Sequence, residues 1–173
     1  MKKLLSISFF LFLLTCNFVT ANANIVFIDM DKVISISKPG SSILKQLNEL
    51  NNKNLKNLRD VKNELKEKEE KIVSQKNILS KDEFENNINQ LKIEIDKYND
   101  SREQIISNFK KIKIANTNTL LRLINTVLTK YADENSISIV LQKKNLIIGK
   151  SEFDITETII KIVNSDIKQF KIK

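Results

Sequence analysis

The side chains that most often carry chemistry are scarce in this sequence. There is no histidine, and the single cysteine, Cys16, lies in an apolar stretch near the start. The usual general base, the thiol nucleophile and the common transition-metal ligands are therefore missing from the body of the chain. Carboxylates do stand side by side, at Glu69-Glu70 and Asp82-Glu83. A catalytic dyad needs a desolvated cleft that splits the two pKa values. These pairs fall in a polar helical stretch, where adjacent carboxylates are solvated surface. With only 2 glycines, the chain has no phosphate-cradling loop and no nucleotide motif. The expectation is a protein that is not an enzyme, with no cofactor and no metal.

Cations are abundant and unevenly placed. Residues 41–62 together with 102–130 hold 11 basic and 3 acidic side chains, net +8; residues 63–101 hold 7 and 10, net −3. The basic residues of the first group are Lys45, Lys53, Lys56, Arg59, Lys62, Arg102, Lys110, Lys111, Lys113, Arg122 and Lys130. Most Lys and Glu on a long helix simply keep it soluble. An excess of this size also makes an electropositive wall, which would attract acidic polypeptides or anionic lipid head groups. The first ten of these residues are the candidate binding surface.

The opening residues belong to targeting. Lys2 and Lys3 form a positive start, residues 4–14 are an apolar run rich in Leu and Phe, and Ala21-Asn22-Ala23 offers small residues to a signal peptidase. This order is that of a secretory signal, too short to span a membrane. An alternative is lipidation at Cys16, although Thr15 is bulky for such a site. Cleavage after Ala23 leaves 150 residues, 24–173, without cysteine; loss of the two lysines lowers the formal charge from +8 to +6. Stability must then come from packing or oligomerisation, not from disulfides. Export also makes nucleic acid an unsuitable partner for the basic surface.

Helix breakers punctuate only the edges of this segment: the one proline is Pro39, and the glycines are Gly40 and Gly149. The chain divides into 24–40 and 135–173, forming a small β body, and 41–134, forming a helical arm. Ile25-Val26-Phe27-Ile28 reads as a buried strand. A helical turn or two over 29–37 would end at Pro39-Gly40. From residue 41, Leu44, Leu58, Leu65, Ile72 and Leu79 share one heptad position, with Asn51 as the gap. The companion row holds Leu47 and Val61 but is interrupted by Asn54, Lys68 and Gln75. Ser80 and Glu83 form a capping box, so a second helix starts there. It carries Phe84, Ile88, Leu91, Ile95, Tyr98, then Arg102 as a gap, then Ile105, Phe109 and Ile112, at alternating steps of four and three. Two such helices joined by a tight capped turn fold into an antiparallel coiled-coil hairpin. An arm of about 40 residues would project about 60 Å.

After the arm, residues 137–141 and 146–148 read as strands joined by a turn over 142–145. Asp154 is placed to cap a last helix, with Glu157 as its partner. Ile155, Ile159, Ile162, Val163, Ile167 and Phe170 would form its apolar face. Strands from both ends of the chain would pair at the base of the hairpin. A three-stranded sheet and one helix make a thin core with open edges, so self-association is expected. The interface residues would be Ile25, Val26, Phe27, Ile28, Ile139, Val140, Leu141 and Ile147. The fold class is α+β and mostly α.

In this order and spacing, the chain resembles the Skp/OmpH family of periplasmic chaperones. The residues that carry the likeness are Ile25-Val26-Phe27-Ile28-Asp29-Met30, the long hairpin, the strand from Ile137 to Leu141, and Asp154-Ile155-Thr156 at the last helix. The resemblance implies a periplasmic homotrimer with a shared β-barrel body and three helical arms around a cavity. It implies ATP-independent holding of unfolded outer-membrane proteins. No catalytic residues carry over. The outer arm here is slightly acidic and rich in Asn, where family arms are often basic toward their tips. A competing reading is an exported coiled-coil spacer or adaptor that bridges envelope components.

Overall fold

A computed structural model of the chain describes residues 23–173. The expected export signal, 1–23, and the lipidation candidate Cys16 lie outside these residues, Ala23 excepted. In chain order the elements are β1 (Ile25–Ile28), α1 (Met30–Ile36), α2 (Lys38–Ser74), α3 (Lys81–Glu134), β2 (Ile139–Gln142) and α4 (Thr156–Asp166). Short 3-10 turns at Lys143–Asn145 and Ser151–Phe153 lie between β2 and α4.

Each helix starts where a side chain can take up its free N–H groups. Asp29 caps α1, its carboxylate accepting from the Lys32 N–H at 2.9 Å. Ser37 then caps α2, accepting from the Gly40 N–H at 3.3 Å. The short helix α1 ends just before Pro39-Gly40, as expected, but the pair itself lies in the first turn of α2, which starts at Lys38. Proline is tolerated in the first turn, where its missing N–H has no partner to lose. Asn164 of α4 adds a second cap, accepting from the Lys38 N–H at 2.6 Å. At the far end, Ser80 and Glu83 make the expected capping box, and the turn between α2 and α3 spans only 75–80. Helix α3 ends in a Schellman motif: the Ile137 N–H reaches the Ala132 carbonyl at 2.9 Å, and Ser136 takes φ 52°.

α2 and α3 form the arm, 37 and 54 residues long. At 1.5 Å per residue these lengths are about 55 and 80 Å. The core lies wholly at its root. Val26 and Ile28 of β1, Met30 and Val33 of α1, Ile43 and Leu47 of α2, Leu120, Ile124 and Val127 of α3, and Ile155, Ile159, Ile160, Val163 and Ile167 around α4 form one buried cluster. At the root, Ile43 faces the core, whereas Leu44, expected in the seam, is 40% exposed. Along the outer arm only Leu91 is buried among the described apolar residues; Leu58, Leu65, Ile72, Tyr98 and Ile105 are half-buried.

The sheet differs from expectation. It has two strands, β1 and β2, in parallel, with Ile25 opposite Ile139 and Ile28 opposite Gln142. The arm is the long crossover that parallel pairing requires. Residues 146–148 form no strand. The chain is drawn off β2 by two contacts: Lys143 reaches the Asp154 carboxylate at 2.7 Å, and the backbone at Gly149 lies against the Phe27 ring. The other side of β1 is taken by residues 154–155, where the Ile155 N–H donates to the Phe27 carbonyl at 3.0 Å. The last helix also begins one residue later than a cap at Asp154 would place it. Glu157 does not close a capping box; it pairs with Lys32 at 2.6 Å. Helix α4 stops at Asp166, so Ile167 and Phe170 reach the core from an extended segment beyond it.

Candidate functional site

The sequence singles out two surfaces, the cations of the inner arm and the apolar residues of the sheet. All ten candidate cations are exposed: Lys45, Lys53, Lys56, Arg59, Lys62 on α2 and Arg102, Lys110, Lys111, Lys113, Arg122 on α3. Only Lys45 has an acidic neighbour within reach, Glu49 at 4.0 Å; among the described residues the other nine enter no salt bridge. Their charge is therefore open to solvent and to ligands. Their arrangement follows from helix geometry. Lys53, Lys56, Arg59 and Lys62 are spaced by three, so each step turns back about 60° around α2. The row winds from one flank of the helix to the other. The cations thus form a belt around the arm root, where the charge count alone suggested a single wall.

The arm's own seam is partly polar. The interrupting Lys68 is matched by Glu94 of α3 at 2.6 Å, the shortest cross-arm polar contact. Sequence spacing put Ile95 in the seam; the structure turns Glu94 inward and leaves Ile95 38% exposed. Beside this pair lies a groove of about 460 Å³ lined by Leu58, Val61, Leu65, Tyr98 and Ile105 among others. Half-buried apolar side chains here are within reach of a ligand without unfolding the arm.

The sheet residues separate into two sets. Val26 and Ile28 are buried in the chain's own core, whereas Phe27 is buried on the opposite face of β1, against Gly149 and with Lys143 Nζ 5.8 Å from its ring centre. Ile25, Ile139 and Leu141 are 43%, 46% and 39% exposed, and Ile147 is fully exposed; Val140 is half-buried. Ile148, not singled out before, is 90% exposed although it sits in the same apolar run. The outer edge of β2 has no partner strand among the described residues.

Asp154 ties the base together. Burial pushes its carboxyl up, but hydrogen bonds from Lys143 and from the hydroxyl and N–H of Thr156 outweigh that and hold it below the ordinary aspartate range. Lys32 is raised by its hydrogen bond to Glu157, and Glu83 is lowered by the Ser80 hydroxyl. Each of these shifts belongs to a cap or strut and none to a cleft. Among the described residues no helix is long and apolar enough to cross a membrane.

Taken together, fold and surface define a helical-arm protein: one long hairpin on a small α/β base. The model of the family described as outer membrane protein (OmpH-like) matches residues 24–163, and the chain belongs to that family. No curated protein matches it. Among solved structures it is similar to one described as an OmpH-like outer membrane chaperone from Caulobacter crescentus CB15. That likeness has a TM-score of 0.76 at 13% identity and covers 88% of this chain and 90% of the other. At such low identity the likeness is one of fold.

Proposed function

We propose that the protein is an ATP-independent holdase of the periplasm that keeps unfolded outer-membrane proteins soluble. The observation that carries this reading is the arm: a long hairpin with almost no core of its own, ringed at its root by unpaired cations. Proteins destined for membrane barrels expose alternating apolar residues and unpaired strand edges, which aggregate in water. The cation belt would collect acidic clients by long-range attraction. Half-buried arm residues would then hold them through many weak contacts, whose sum is tight. Family membership and the chaperone description of the Caulobacter structure support the same reading.

The open β2 edge supports self-association. Three copies joined through Ile25, Ile139, Leu141 and Ile147 would cover one another's edges in a common body and hang three arms around a cavity. The ten cations would then face that cavity in part and the outside in part, where anionic lipid head groups could meet them.

Light scattering tests this directly, with and without a urea-unfolded outer-membrane barrel protein diluted in. A trimer that takes up the client and keeps it soluble is expected. A monomer or dimer that leaves the client to precipitate would refute the reading and favour a spacer. Lys110, Lys111, Lys113 and Arg122 changed together to Gln should slow capture and flatten its salt dependence; unchanged capture would remove the electrostatic step.

A further inference from the structure

Beyond α4 the chain runs back across the root of the arm, outside the residues matched to the family. Ile167 is buried, and Phe170 and Ile172 are half-buried against the core, while Lys168, Lys171 and Lys173 are exposed. Apolar residues two apart facing inward are the pattern of an extended strand. Among the described residues no strand pairs with this segment.

Its backbone is instead held by two side-chain amides. Gln46 of α2 donates through Nε2 to the Phe170 carbonyl at 3.0 Å and accepts at Oε1 from the Ile172 N–H at 3.1 Å. Asn116 of α3 donates through Nδ2 to the main-chain oxygen of Lys173 at 3.2 Å and accepts at Oδ1 from the N–H of the same residue at 3.3 Å. On an extended chain the N–H and main-chain oxygen of one residue point to the same side, as do an oxygen and the N–H two residues on. Each amide therefore satisfies one edge, as a neighbouring strand would. Both clamps are also fixed within their own helices. Asn116 is 6% exposed and donates to the Ile112 carbonyl at 2.7 Å; Gln46 donates to Ser42 at 3.3 Å.

None of these bonds reads a side chain of the segment. Any extended stretch with apolar residues two apart could make them. The segment itself is a poor electrostatic match for the place it occupies. Its three lysines lie at the cationic root of the arm, where Lys45 and Lys113 flank the two clamps in sequence, and among the described residues they enter no salt bridge. Covalent attachment holds it there, at an effective concentration in the millimolar range.

We propose that the cleft between Gln46 and Asn116 is a binding site for extended polypeptide, occupied in cis by residues 168–173 and yielded to acidic client segments with alternating apolar residues. The choice of ligand rests on the holdase reading above. The strap sets a threshold: a segment binds only if it competes with the chain's own.

The chain contains no tryptophan, so Phe170→Trp is a single optical reporter of the strap. A short tryptophan-free peptide alternating leucine with glutamate and serine should shift its emission to the red and saturate. A variant lacking residues 168–173 should bind the same peptide roughly tenfold more tightly, because the competent fraction no longer has to be released. Adding Gln46→Ala and Asn116→Ala to that variant should abolish the gain. Unmoved emission at saturating peptide overturns the proposal, and this readout does not depend on whether the shortened variant folds. A full chain that takes up an unfolded barrel protein while the emission stays fixed refutes the cleft alone. A chain that takes up no client, but whose strap the peptide displaces, refutes the holdase reading and keeps the cleft.

Discussion

The backbone N–H of Asp29 donates to the Thr156 hydroxyl at 2.9 Å, across 127 positions of sequence. One bond thus joins the first strand to the start of the last helix. The Thr156 hydroxyl in turn donates to Asp154, and the neighbouring Ile155 N–H reaches the Phe27 carbonyl. The end of β1 and the entry to α4 form one hydrogen-bonded joint beneath the arm. Thr156→Val keeps the volume and removes both hydroxyl bonds, leaving the Asp29 N–H in a partly buried place without its acceptor. Urea unfolding should show a loss of about 1–3 kcal/mol. Thr156→Ser, which retains the hydroxyl, should lose much less.

The same joint should respond to acid. The Asp154 carboxyl lies below its ordinary range when folded. A group with a depressed folded pKa adds stability that is complete above the unfolded value, near 4, and is lost as pH falls through the folded one. The thermal stability of the native chain should fall on acidification below about pH 4. Asp154→Asn should start less stable at neutral pH and show a shallower acid limb. Parallel limbs for the two proteins would exclude Asp154 as a source of the acid sensitivity.

Two backbone positions give opposite expectations for small residues. A Cβ on Gly40 would collide with the Ile34 carbonyl, where α1 turns into α2. Gly40→Ala should cost about 1–3 kcal/mol through forced backbone shifts. Ser136, by contrast, sits at φ 52° in the C-terminal cap of α3, where only glycine is unstrained. Ser136→Gly should raise stability by about 1 kcal/mol. Both are read from denaturant midpoints with unchanged slopes.

Much of this fold was legible because it rests on local chemistry. The capping box at Ser80 and Glu83 marked the tip of the hairpin, and the heptad spacing found Leu58, Leu65, Ile72, Leu91, Tyr98 and Ile105 in its seam but misplaced Leu44 and Ile95. Strands at both ends of the chain marked the base. What sequence periodicity could not supply was the route taken by residues 142–155. A run such as Leu146-Ile147-Ile148 has strand composition, but Lys143 bonded to Asp154 and the close approach of Gly149 to Phe27 carry it away from β2. Pro39-Gly40 marked the end of α1 correctly but put the start of the next helix three residues late, because a proline also fits the first turn of a helix. The strap at 168–173 left no periodic signal either, because its partners are two amides from helices far away in sequence. Glu94 was missed because apolar spacing alone cannot find the acid that answers a lysine in a seam.

That last pair makes a test of how the arm works. Lys68 occupies a seam position and is held by Glu94 at 2.6 Å, with both side chains still about half exposed. A pair so exposed adds little stability, and it prevents apolar packing between Leu65 and Ile72. Lys68→Leu with Glu94→Leu would restore a continuous apolar row facing Leu91 and Tyr98. Thermal stability should rise, and hydrogen exchange along the outer arm should slow. If the loosely packed seam is what lets the arm adapt to clients of many shapes, the stiffened variant should protect fewer kinds of unfolded protein at equal concentration. Aggregation assays over a panel of barrel proteins of different size would show it. A stiffer arm that protects the whole panel as well as the native protein would mean that adaptability resides at the arm root and not along its length.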